Sequence, residues 1–530
     1  MSLNNTPVPI PEKRVTYKKA SNGTVYVYYT VRAYRNKNGR PTSDEVAIGK
    51  KDVATGQLIP NKRYYEIFQD AKPIKASTAT PSSVQSCGNI AALVEIAKQT
   101  GLYGILEKCF PDKWTQIMAC AFYILCEGNV MMYIEDWFDQ TRVNFSKRMD
   151  DLDCSKLFSS ITEKEKREFF TNWIKFRGEN EYIVYDVSSI STYSSSIDIA
   201  EWGYNRDNDA LPQINLGMYY GMTSHMPVYY NIYSGSIPDK NYLEFMMTDT
   251  KALGIQNICF VIDRGFVTED NFLCMQEKGF SFITAMPGKR LEALRLIDEN
   301  KRNLRKTANR ISEYEVYGLQ CAVELYDLNL QAHIYYDPEK QAHDEKELYA
   351  HIEKMRMELE KMNRSKRVTK KYKEYFTIDE KVQDALIYKL DTCKVDEKLD
   401  RTGYFILLSN KPELTSAEVL KIYRNRDVIE KNFDQFKNRM DFKRMRTHWI
   451  KTMEGKMFIG FLALILRSYM RRMVKNDTQT KHLTFEKILI ELRKIKLVTL
   501  SDLSEVLIPM TKLQKTILSI LGVPLEALVT

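Results

Sequence analysis

The sequence predicts an α/β protein organised around one sheet that has both antiparallel and parallel strands. Two observations support this prediction. From residue 181 to residue 290, apolar runs rich in β-branched and aromatic residues follow the order strand, strand, strand, helix, strand, helix, strand. The chain also has 530 residues, which suffices for several domains or for one large body with additions.

The first 80 residues are predicted to form a basic, β-rich N-terminal module. Val25, Val27, Tyr29 and Val31 alternate with other side chains at the period of a strand, and Asn38-Gly39 supplies a turn. Basic residues are interleaved with tyrosines in this module, a combination that suits contact with DNA. A plain β-domain explains the same pattern equally well.

A polar segment at residues 72–86, rich in Pro, Ser and Thr, predicts a domain boundary. Residues 87–180 follow the helical period and are predicted to form a helical domain. We expect this domain to serve in packing and in support of a DNA-binding surface.

Residues 291–400 interrupt the α/β order and are predicted to be an insertion. Its charged stretch at residues 344–375 is typical of a solvated helix hairpin or a short coiled coil. The first part of the core, residues 181–290, is then expected to continue in a second part, residues 401–450, that begins with a strand at Tyr404–Leu408.

Residues 451–530 are predicted to form a basic, helical C-terminal region. Their most apolar run, Met457–Leu466, is too short to span a bilayer and contains a glycine, so it is expected to be a buried helix. The N-terminus has no apolar core and is not a signal peptide, which together with the soluble composition excludes a membrane protein.

The basic charge of the chain is concentrated near its two ends. The net charge is +9, but residues 1–85 carry 14 Lys and Arg against 6 Asp and Glu, and residues 437–494 carry 15 against 5. This distribution indicates a polyanionic partner, with nucleic acid as the first candidate.

The pattern of cysteines and histidines argues against a zinc enzyme. The nine cysteines form no CxxC pair, and the six histidines form no HExxH motif. We therefore expect reduced thiols in a cytoplasmic protein.

The stretch from Tyr423 to Lys437 is predicted to be one amphipathic helix. Its apolar positions recur at helical spacing, and no Gly or Pro interrupts it. At ~100° per residue, Arg426, Glu430 and Lys437 project within ~40° of one another beside the apolar stripe. An exposed i,i+4 ion pair between Arg426 and Glu430 explains this flank as well as a functional site does.

Two aspartates provide possible partners for Glu430. Tyr182–Tyr185 predicts a strand that ends on Asp186, and 258–262 predicts a strand that ends on Asp263. Three carboxylates close together repel one another, and Mg²⁺ would offset this repulsion while leaving positions for phosphate and water. Each aspartate alone is more often a turn former than a metal ligand.

Tyr423, Arg426, Glu430 and Lys437 match the pattern Y-x2-R-x3-E-x6-K at every fixed position. This pattern resembles the signature around the catalytic glutamate in one large group of bacterial insertion-sequence transposases of the DDE type. Residues 263–266, DRGF, resemble the second-aspartate motif of that group, and Asp186 is similar to its first aspartate.

The resemblance implies a ribonuclease-H-like catalytic domain interrupted by an insertion. It implies that Asp186, Asp263 and Glu430 bind two Mg²⁺ ions, with Mn²⁺ able to substitute. It also implies that Tyr423, Arg426 and Lys437 contact DNA. The expected enzyme is a polynucleotidyl transferase and endonuclease.

The expected partner is double-stranded DNA, both the inverted-repeat ends of a transposon and the target. A homodimer is expected in the DNA complex, associated with the nucleoid in the cytoplasm. Two alternatives stay open: a structure-directed nuclease on the same fold without strand transfer, and a non-catalytic DNA-binding protein derived from a transposase.

Overall fold

A computed structural model describes residues 7–21, 23–52, 55–68, 80–177, 182–205, 207, 209–253, 259–362, 370–379 and 387–529. The chain divides into two compact units. Unit 1 comprises Met1–Ser83 and Thr499–Val506, and unit 2 comprises Val84–Val498 and Leu507–Thr530. The fold is mixed α/β with one large mixed sheet, which confirms the predicted class.

Unit 1 contains a four-stranded antiparallel sheet around a small core of its own. Its elements are β1 (Val15–Lys19), β2 (Val25–Arg35), β3 (Pro41–Lys51), β4 (Leu58–Pro60) and α1 (Lys62–Ile67). The strand order is β1-β2-β3-β4. Val27, Ile48, Leu58 and Tyr64 are buried, whereas residues 31–44 of the β2–β3 hairpin are exposed on both faces. The hairpin therefore projects as a two-stranded ribbon beyond the core.

Residues 72–79 of the predicted linker lie outside the described residues. The boundary between the two units, at Ser83 and Val84, falls within the predicted segment 72–86. The end of that segment is nevertheless regular, because Pro81–Ser86 is a strand, β5. Its Ser and Gln side chains carry little apolar signal, and its pairing partner lies more than 400 residues later in the chain.

Six helices follow β5, in agreement with the helical period of this region. They are α2 (Gly88–Gln99), α3 (Leu102–Cys109), α4 (Trp114–Glu127), α5 (Ile134–Gln140), α6 (Asp151–Ser160) and α7 (Glu163–Arg177). Among the described residues no single helix has the length and hydropathy to cross a membrane. One pair, 114–127 with 131–140, passes that test only when its two parts, bent by 104°, are taken together.

The central sheet begins directly after α7. Its first elements are β6 (Tyr182–Ser191), β7 (Gln213–Gly221), β8 (Met226–Ser234), α8 (Asp239–Ala252), β9 (Cys259–Ile262), α9 (Glu269–Glu277) and β10 (Ser281–Ala285). They follow the predicted order of three strands, a helix, a strand, a helix and a strand.

The next elements lie within the segment predicted as an insertion. They are α10 (Leu291–Leu304), β11 (Arg310–Ile311), β12 (Val316–Leu325), β13 (Leu328–Tyr336), α11 (Pro338–Glu360), β14 (Phe376–Asp379), β15 (Ile387–Leu390) and α12 (Thr392–Leu399), and β16 (Tyr404–Ser409) follows them. Residues 363–369 of the predicted charged stretch lie outside the described residues.

Nine strands form the central sheet in the order β11-β12-β13-β16-β10-β9-β6-β7-β8. β9 pairs in parallel with both β6 and β10, and the other pairings are antiparallel. Strands β11 to β13 therefore extend the main sheet, although the sequence placed them in the insertion. The described residues between 338 and 399 instead gather around a separate small core that includes Met355, Leu359 and Phe376.

The stretch predicted as one helix over 423–437 consists of three helical segments. They are α13 (Ser416–Arg424), α14 (Asp427–Asp434) and a π-helical turn at Gln435–Arg439. Asn425 and Arg426 separate the first two, where the amides of Arg426 and Val428 bond to carbonyls three residues earlier. The predicted apolar stripe is buried at Ile429, Phe433, Phe436 and Met440. The breaks between the helical segments therefore do not remove these side chains from the core.

The C-terminal region is mainly helical, with two short strands that the sequence did not predict. Its elements are α15 (Ile450–Asn476), α16 (Phe485–Arg493), β17 (Lys496–Leu500), β18 (Glu505–Leu507) and α17 (Lys512–Ile520). β18, β17 and β5 form a three-stranded sheet in that order. The run Met457–Leu466 is a buried part of α15, as predicted.

Candidate active site

A cavity of about 630 Å³, here called the acidic cavity, lies where the parallel pairing of β6 and β9 ends. Six carboxylates line it together with one lysine: Asp186, Asp207, Asp239, Asp263, Glu430, Asp434 and Lys437. The three acids predicted from the sequence as one site are all among them. The structure thus brings Asp186, Asp263 and Glu430 to one cavity from three elements that are far apart in the chain.

The strand register explains why the two aspartates meet. Tyr182 pairs with Cys259, and Val184 pairs with Val261, so continuation of the same register sets Asp186 level with Asp263. Neighbouring parallel strands lie about 4.8 Å apart, and side chains at one level point to the same face. α14 packs against β6 and brings Glu430 to this face.

Asp186 does not end its strand, which corrects one expectation. β6 continues to Ser191 because Val187–Ser191 pairs with β7, and Asp186 itself lies opposite Met218. Only the pairing with β9 stops before Asp186. The serines at 188, 189 and 191 obscure this continuation, because a strand tail rich in serine has the composition of a loop. Asp263, in contrast, follows the last residue of β9 as predicted.

Backbone amides orient both aspartates. The amide of Val187 donates a hydrogen bond of 2.8 Å to Asp186 Oδ1, and the amide of Arg264 donates one of 2.7 Å to Asp263 Oδ1. Each carboxylate is therefore held by the residue that follows it. Hydrogen bonds of this kind stabilise the ionised carboxylate.

Arg426 joins two of the three acids. Its Nη1 lies 2.7 Å from Asp263 Oδ1, and its Nη2 lies 3.4 Å from Glu430 Oε1. Burial opposes the charged form of Arg426, but Tyr423, Asp263 and Glu430 together outweigh it and raise the pKa of the guanidinium. The i,i+4 pair foreseen from the sequence is therefore present, and it forms part of the acidic cluster.

Tyr423 supports this arginine from the preceding helix. The guanidinium carbon of Arg426 lies 5.1 Å from the centre of the Tyr423 ring. Burial raises the pKa of Tyr423, and its ring packs against the hydrophobic core. The phenol is thus neutral at ordinary pH, and its ring holds Arg426 beside the acids.

Lys437 lines the same cavity as Glu430 and is almost fully buried there. The residue is 7% exposed, and its Nζ lies 2.5 Å from Asp207 Oδ2 and 3.2 Å from Ser188 Oγ. Lys437 lies within the π-helical turn at Gln435–Arg439, and it still lines the cavity that Glu430 lines.

Three cavity acids were not singled out from the sequence. Asp434 follows Glu430 by one helical turn, so helix geometry was a usable signal for it. Asp239 accepts a hydrogen bond of 2.8 Å from the Tyr233 hydroxyl at the start of α8, and Asp207 precedes β7 in a loop. An aspartate at a helix start is ordinary, so nothing in the sequence marks Asp239.

The donor set suits a hard divalent cation, because carboxylate oxygens are the ligands that Mg²⁺ and Mn²⁺ accept. The arrangement is nevertheless not closed around an ion: within the described residues, no three acidic, His or Cys side chains are positioned to hold one metal. Arg426 helps to keep the acids apart, since its guanidinium lies between Asp263 and Glu430.

Comparison with known proteins gives one family. The family model described as "Transposase DDE domain" matches residues 177–466, which is more than half of the chain. A search of curated proteins found no match. Among solved structures, a cryo-EM structure of the piggyBac transposase synaptic complex with hairpin DNA aligns over 77% of this chain and 70% of that one. The alignment has 11% identity and a TM-score of 0.34.

Proposed function

The chain belongs to the transposase DDE domain family, and we propose that it cuts DNA at the ends of a transposon and joins them to target DNA. One observation carries this proposal. Asp186, Asp263 and Glu430 come from two neighbouring parallel strands and an adjacent helix, and they line one acidic cavity. Polynucleotidyl transfer needs such a set of carboxylates beside a surface that binds phosphate.

We further propose a ribonuclease-H-like core and membership of the bacterial insertion-sequence group with the Y-x2-R-x3-E-x6-K signature. The strand order β8-β7-β6-β9-β10, with β9 and β10 parallel to β6, supports the first proposal. Tyr423, Arg426, Glu430 and Lys437, which occupy every fixed position of the signature, support the second. The segment 338–399, whose described residues have a core of their own, is proposed as the insertion.

Asp186, Asp263 and Glu430 would hold Mg²⁺, or Mn²⁺ in its place. When bound, two such ions activate the attacking oxygen and stabilise the leaving oxygen of a phosphodiester. The excess of carboxylates in the acidic cavity supports this assignment, because six acids face one lysine there and cations relieve their repulsion.

The protein's own cations have two different roles in this proposal. Arg426 neutralises Asp263 and Glu430 in the absence of substrate, and its guanidinium can turn to a phosphate when DNA arrives. Tyr423 keeps Arg426 in reach through its ring. Lys437 stabilises the loop that carries Asp207, so its effect on DNA acts through the shape of the cavity.

We propose that the N-terminal hairpin also contacts DNA. Its ribbon, residues 31–44, is exposed on both faces and carries Arg32, Arg35, Lys37 and Arg40. A two-stranded ribbon fits the major groove of B-DNA. Two transposon ends have to be held together for joining, which favours a homodimer on DNA as the working form, associated with the nucleoid.

The first test replaces each acid by its amide, which keeps the size of the side chain. We expect Asp186→Asn, Asp263→Asn and Glu430→Gln each to lower cleavage of DNA that flanks the coding sequence, in Mg²⁺, by about 100-fold or more, since even outer partners of a metal site account for that much. Asp434→Asn is the matched control, because Asp434 lines the same cavity without belonging to the triad. It should cleave within a few-fold of the parent.

A triad variant that cleaves at the parent rate would remove that acid from the proposed metal site. Joining is tested separately, with pre-cut ends and a target plasmid. If the parent protein cuts flanking DNA but joins no pre-cut end to the target, the activity is that of a nuclease and the transposase assignment fails.

A further inference from the structure

A second cavity, of about 270 Å³, adjoins the end of α14 and is here called the basic cavity. Five cationic side chains and one carboxylate line it: Arg439, Arg467, Arg471, Lys475, Lys481 and Glu486. The net charge of these six side chains is +4. Gln435 lines the basic cavity, and its neighbour Asp434 lines the acidic cavity, so the two cavities flank the same turn of the chain.

Arg467 forms the floor of the basic cavity and is fixed in place. It is 4% exposed, its Nη2 donates a hydrogen bond of 3.0 Å to Glu486 Oε1, and it also bonds to Gln435. Its guanidinium carbon lies 3.8 Å from the centre of the Phe485 ring. Its buried Nε has no hydrogen-bond partner in the described part of the chain. A buried donor without an acceptor is unusual and requires an explanation.

The surrounding charges are incompletely neutralised. Glu486 pairs with Arg467 and Arg439, and within the described residues no ion pair involves Arg471, Lys475 or Lys481. Burial, reinforced by Arg471 and Arg439 and opposed by Glu486, lowers the pKa of Arg467 to about 10. Like charges this close to a buried guanidinium are costly unless an anion joins them.

We propose that the basic cavity binds a phosphate group of the DNA backbone, beside the acidic cavity in which the strand is cut. This inference rests on the proposed function for the choice of DNA as the anion. Guanidinium and ammonium groups bind phosphate through charge-assisted hydrogen bonds. A phosphate held here would fix the position of the DNA along α14, and it would contribute affinity without sequence preference.

The test compares Arg471→Gln/Lys481→Gln with Lys156→Gln/Lys164→Gln in the full-length protein. The first pair removes two cavity charges outside any ion pair of the described residues. The second pair removes two charges from exposed positions of α6 and α7, and neither residue lines the basic cavity. Binding to a labelled duplex of the flanking DNA is measured by fluorescence anisotropy over a salt series, without divalent ions, so that cleavage plays no part.

We expect the cavity variant to bind roughly 10-fold or more weakly at physiological salt and its salt slope to flatten by about two, one for each lost phosphate contact. The control should keep the parent slope. An unchanged slope in the cavity variant, or a parent that does not bind the duplex, overturns the proposal. If the parent binds but never cleaves, the proposed function fails, while a flattened slope still supports the phosphate site.

A second measurement separates DNA from a free anion. Inorganic phosphate should raise the melting temperature of the parent and of the control more than that of the cavity variant. If this difference appears while all three proteins bind the duplex with one slope, the cavity holds a free anion, and the DNA proposal is overturned.

Discussion

At the scale of single residues, the environment of a charge decides its role more than its place in a motif. Arg426 and Lys437 belong to one signature, yet Arg426 pairs with Asp263 and Glu430, whereas Lys437 lines the acidic cavity and pairs with Asp207. Two cations of one signature can therefore have different partners and different roles.

Lys437→Met should destabilise the fold, because Asp207, which is partly buried, loses its cationic partner. We expect the free energy of unfolding to fall by about 3 kcal/mol, measured by urea denaturation. Adding Asp207→Asn should restore much of this loss, since no unpaired charge then remains. Lys431→Met, at an exposed position of the same helix, should change stability little. If Lys437→Met is as stable as this control yet binds DNA weakly, Lys437 contacts DNA directly.

Lys456 makes stability depend on pH. It is 2% exposed, its Nζ donates to the carbonyl of Met445, and burial, with Arg446 adding to the effect, lowers its pKa to about 7 despite Asp441 and Cys154. The unfolded chain keeps the ordinary value of 10.5 and so binds more protons between pH 7 and 10.5. Above pH 10.5 Lys456 therefore does not reduce the free energy of unfolding. The reduction grows as pH falls toward 7.

Lys456→Met should accordingly raise the free energy of unfolding at pH 7 by a few kcal/mol. The gain over the parent should shrink steadily as pH approaches 10, because the parent no longer has to deprotonate the amine on folding. Chemical denaturation at several pH values measures this difference. A difference that does not change with pH would mean that Lys456 folds in its charged form.

The residues of the acidic cavity were predictable only in part. Glu430 and the two triad aspartates were identified because a helix flank and two apolar runs pointed to them. Asp207 and Asp239 were missed because their contribution depends on how loops return to the sheet. Such long-range contacts cannot be predicted from the local sequence. Lys437 was predicted on the flank of Glu430, and both residues line the acidic cavity. Its ion pair with Asp207 was missed for the same reason, because Asp207 reaches it from a loop.

At the scale of elements, α15 shows how a glycine lets two segments approach closely. A Cβ at Gly460 would lie 2.4 Å from the Phe442 ring, and Phe442 stacks on Phe436 of the π-helical turn at a centroid distance of 4.3 Å. α15 thus supports the segment that carries Lys437 and borders the acidic cavity. The sequence predicted this buried helix, but it gave no indication of the contact.

Gly460→Ala should therefore displace the Phe436–Phe442 stack. We expect a loss of about 1–3 kcal/mol in stability, typical of overpacking a core, together with reduced cleavage. Gly104→Ala is the matched control, since Gly104 lies in α3 with no atom within 4 Å of a Cβ built there. It should leave activity unchanged and stabilise the helix by up to about 1 kcal/mol. Equal melting temperatures for the two variants would contradict this account of α15.

Elements with strong local patterns were predicted well, and elements defined by distant partners were not. The strands β6 to β10 and their two helices follow the expected order. In contrast, β5 and β17 pair across more than 400 residues, and β12 and β13 belong to the main sheet although the sequence assigned them to an insertion. A strand that pairs with a partner distant in the chain has the same composition as a strand that pairs with a neighbour in the chain.

At the scale of the whole molecule, the two basic ends of the sequence fall in different parts of the structure. The N-terminal excess belongs largely to unit 1, where the exposed hairpin carries four cations, and the later excess includes the cations of the basic cavity in unit 2. If both bind DNA, their contributions to the salt dependence of binding should add, because each set of charges displaces its own counterions.

The hairpin contribution is tested by replacing Arg32, Arg35, Lys37 and Arg40 with Gln in the full-length protein. All four side chains are exposed and lie outside the core of unit 1, so the melting temperature should stay close to that of the parent. The salt slope for binding flanking DNA should flatten by about four, and combination with Arg471→Gln/Lys481→Gln should flatten it by about six.

The Lys156→Gln/Lys164→Gln control measures how much the salt slope changes when net charge alone is lost, and this change should be near zero. A hairpin variant with the parent slope would show that unit 1 is a β-module that does not contact the DNA backbone. A hairpin variant that flattens the slope fully, with no further change from the cavity substitutions, would assign the phosphate contacts to unit 1 alone. Additive slopes would mean that each basic region contributes its own phosphate contacts to DNA binding.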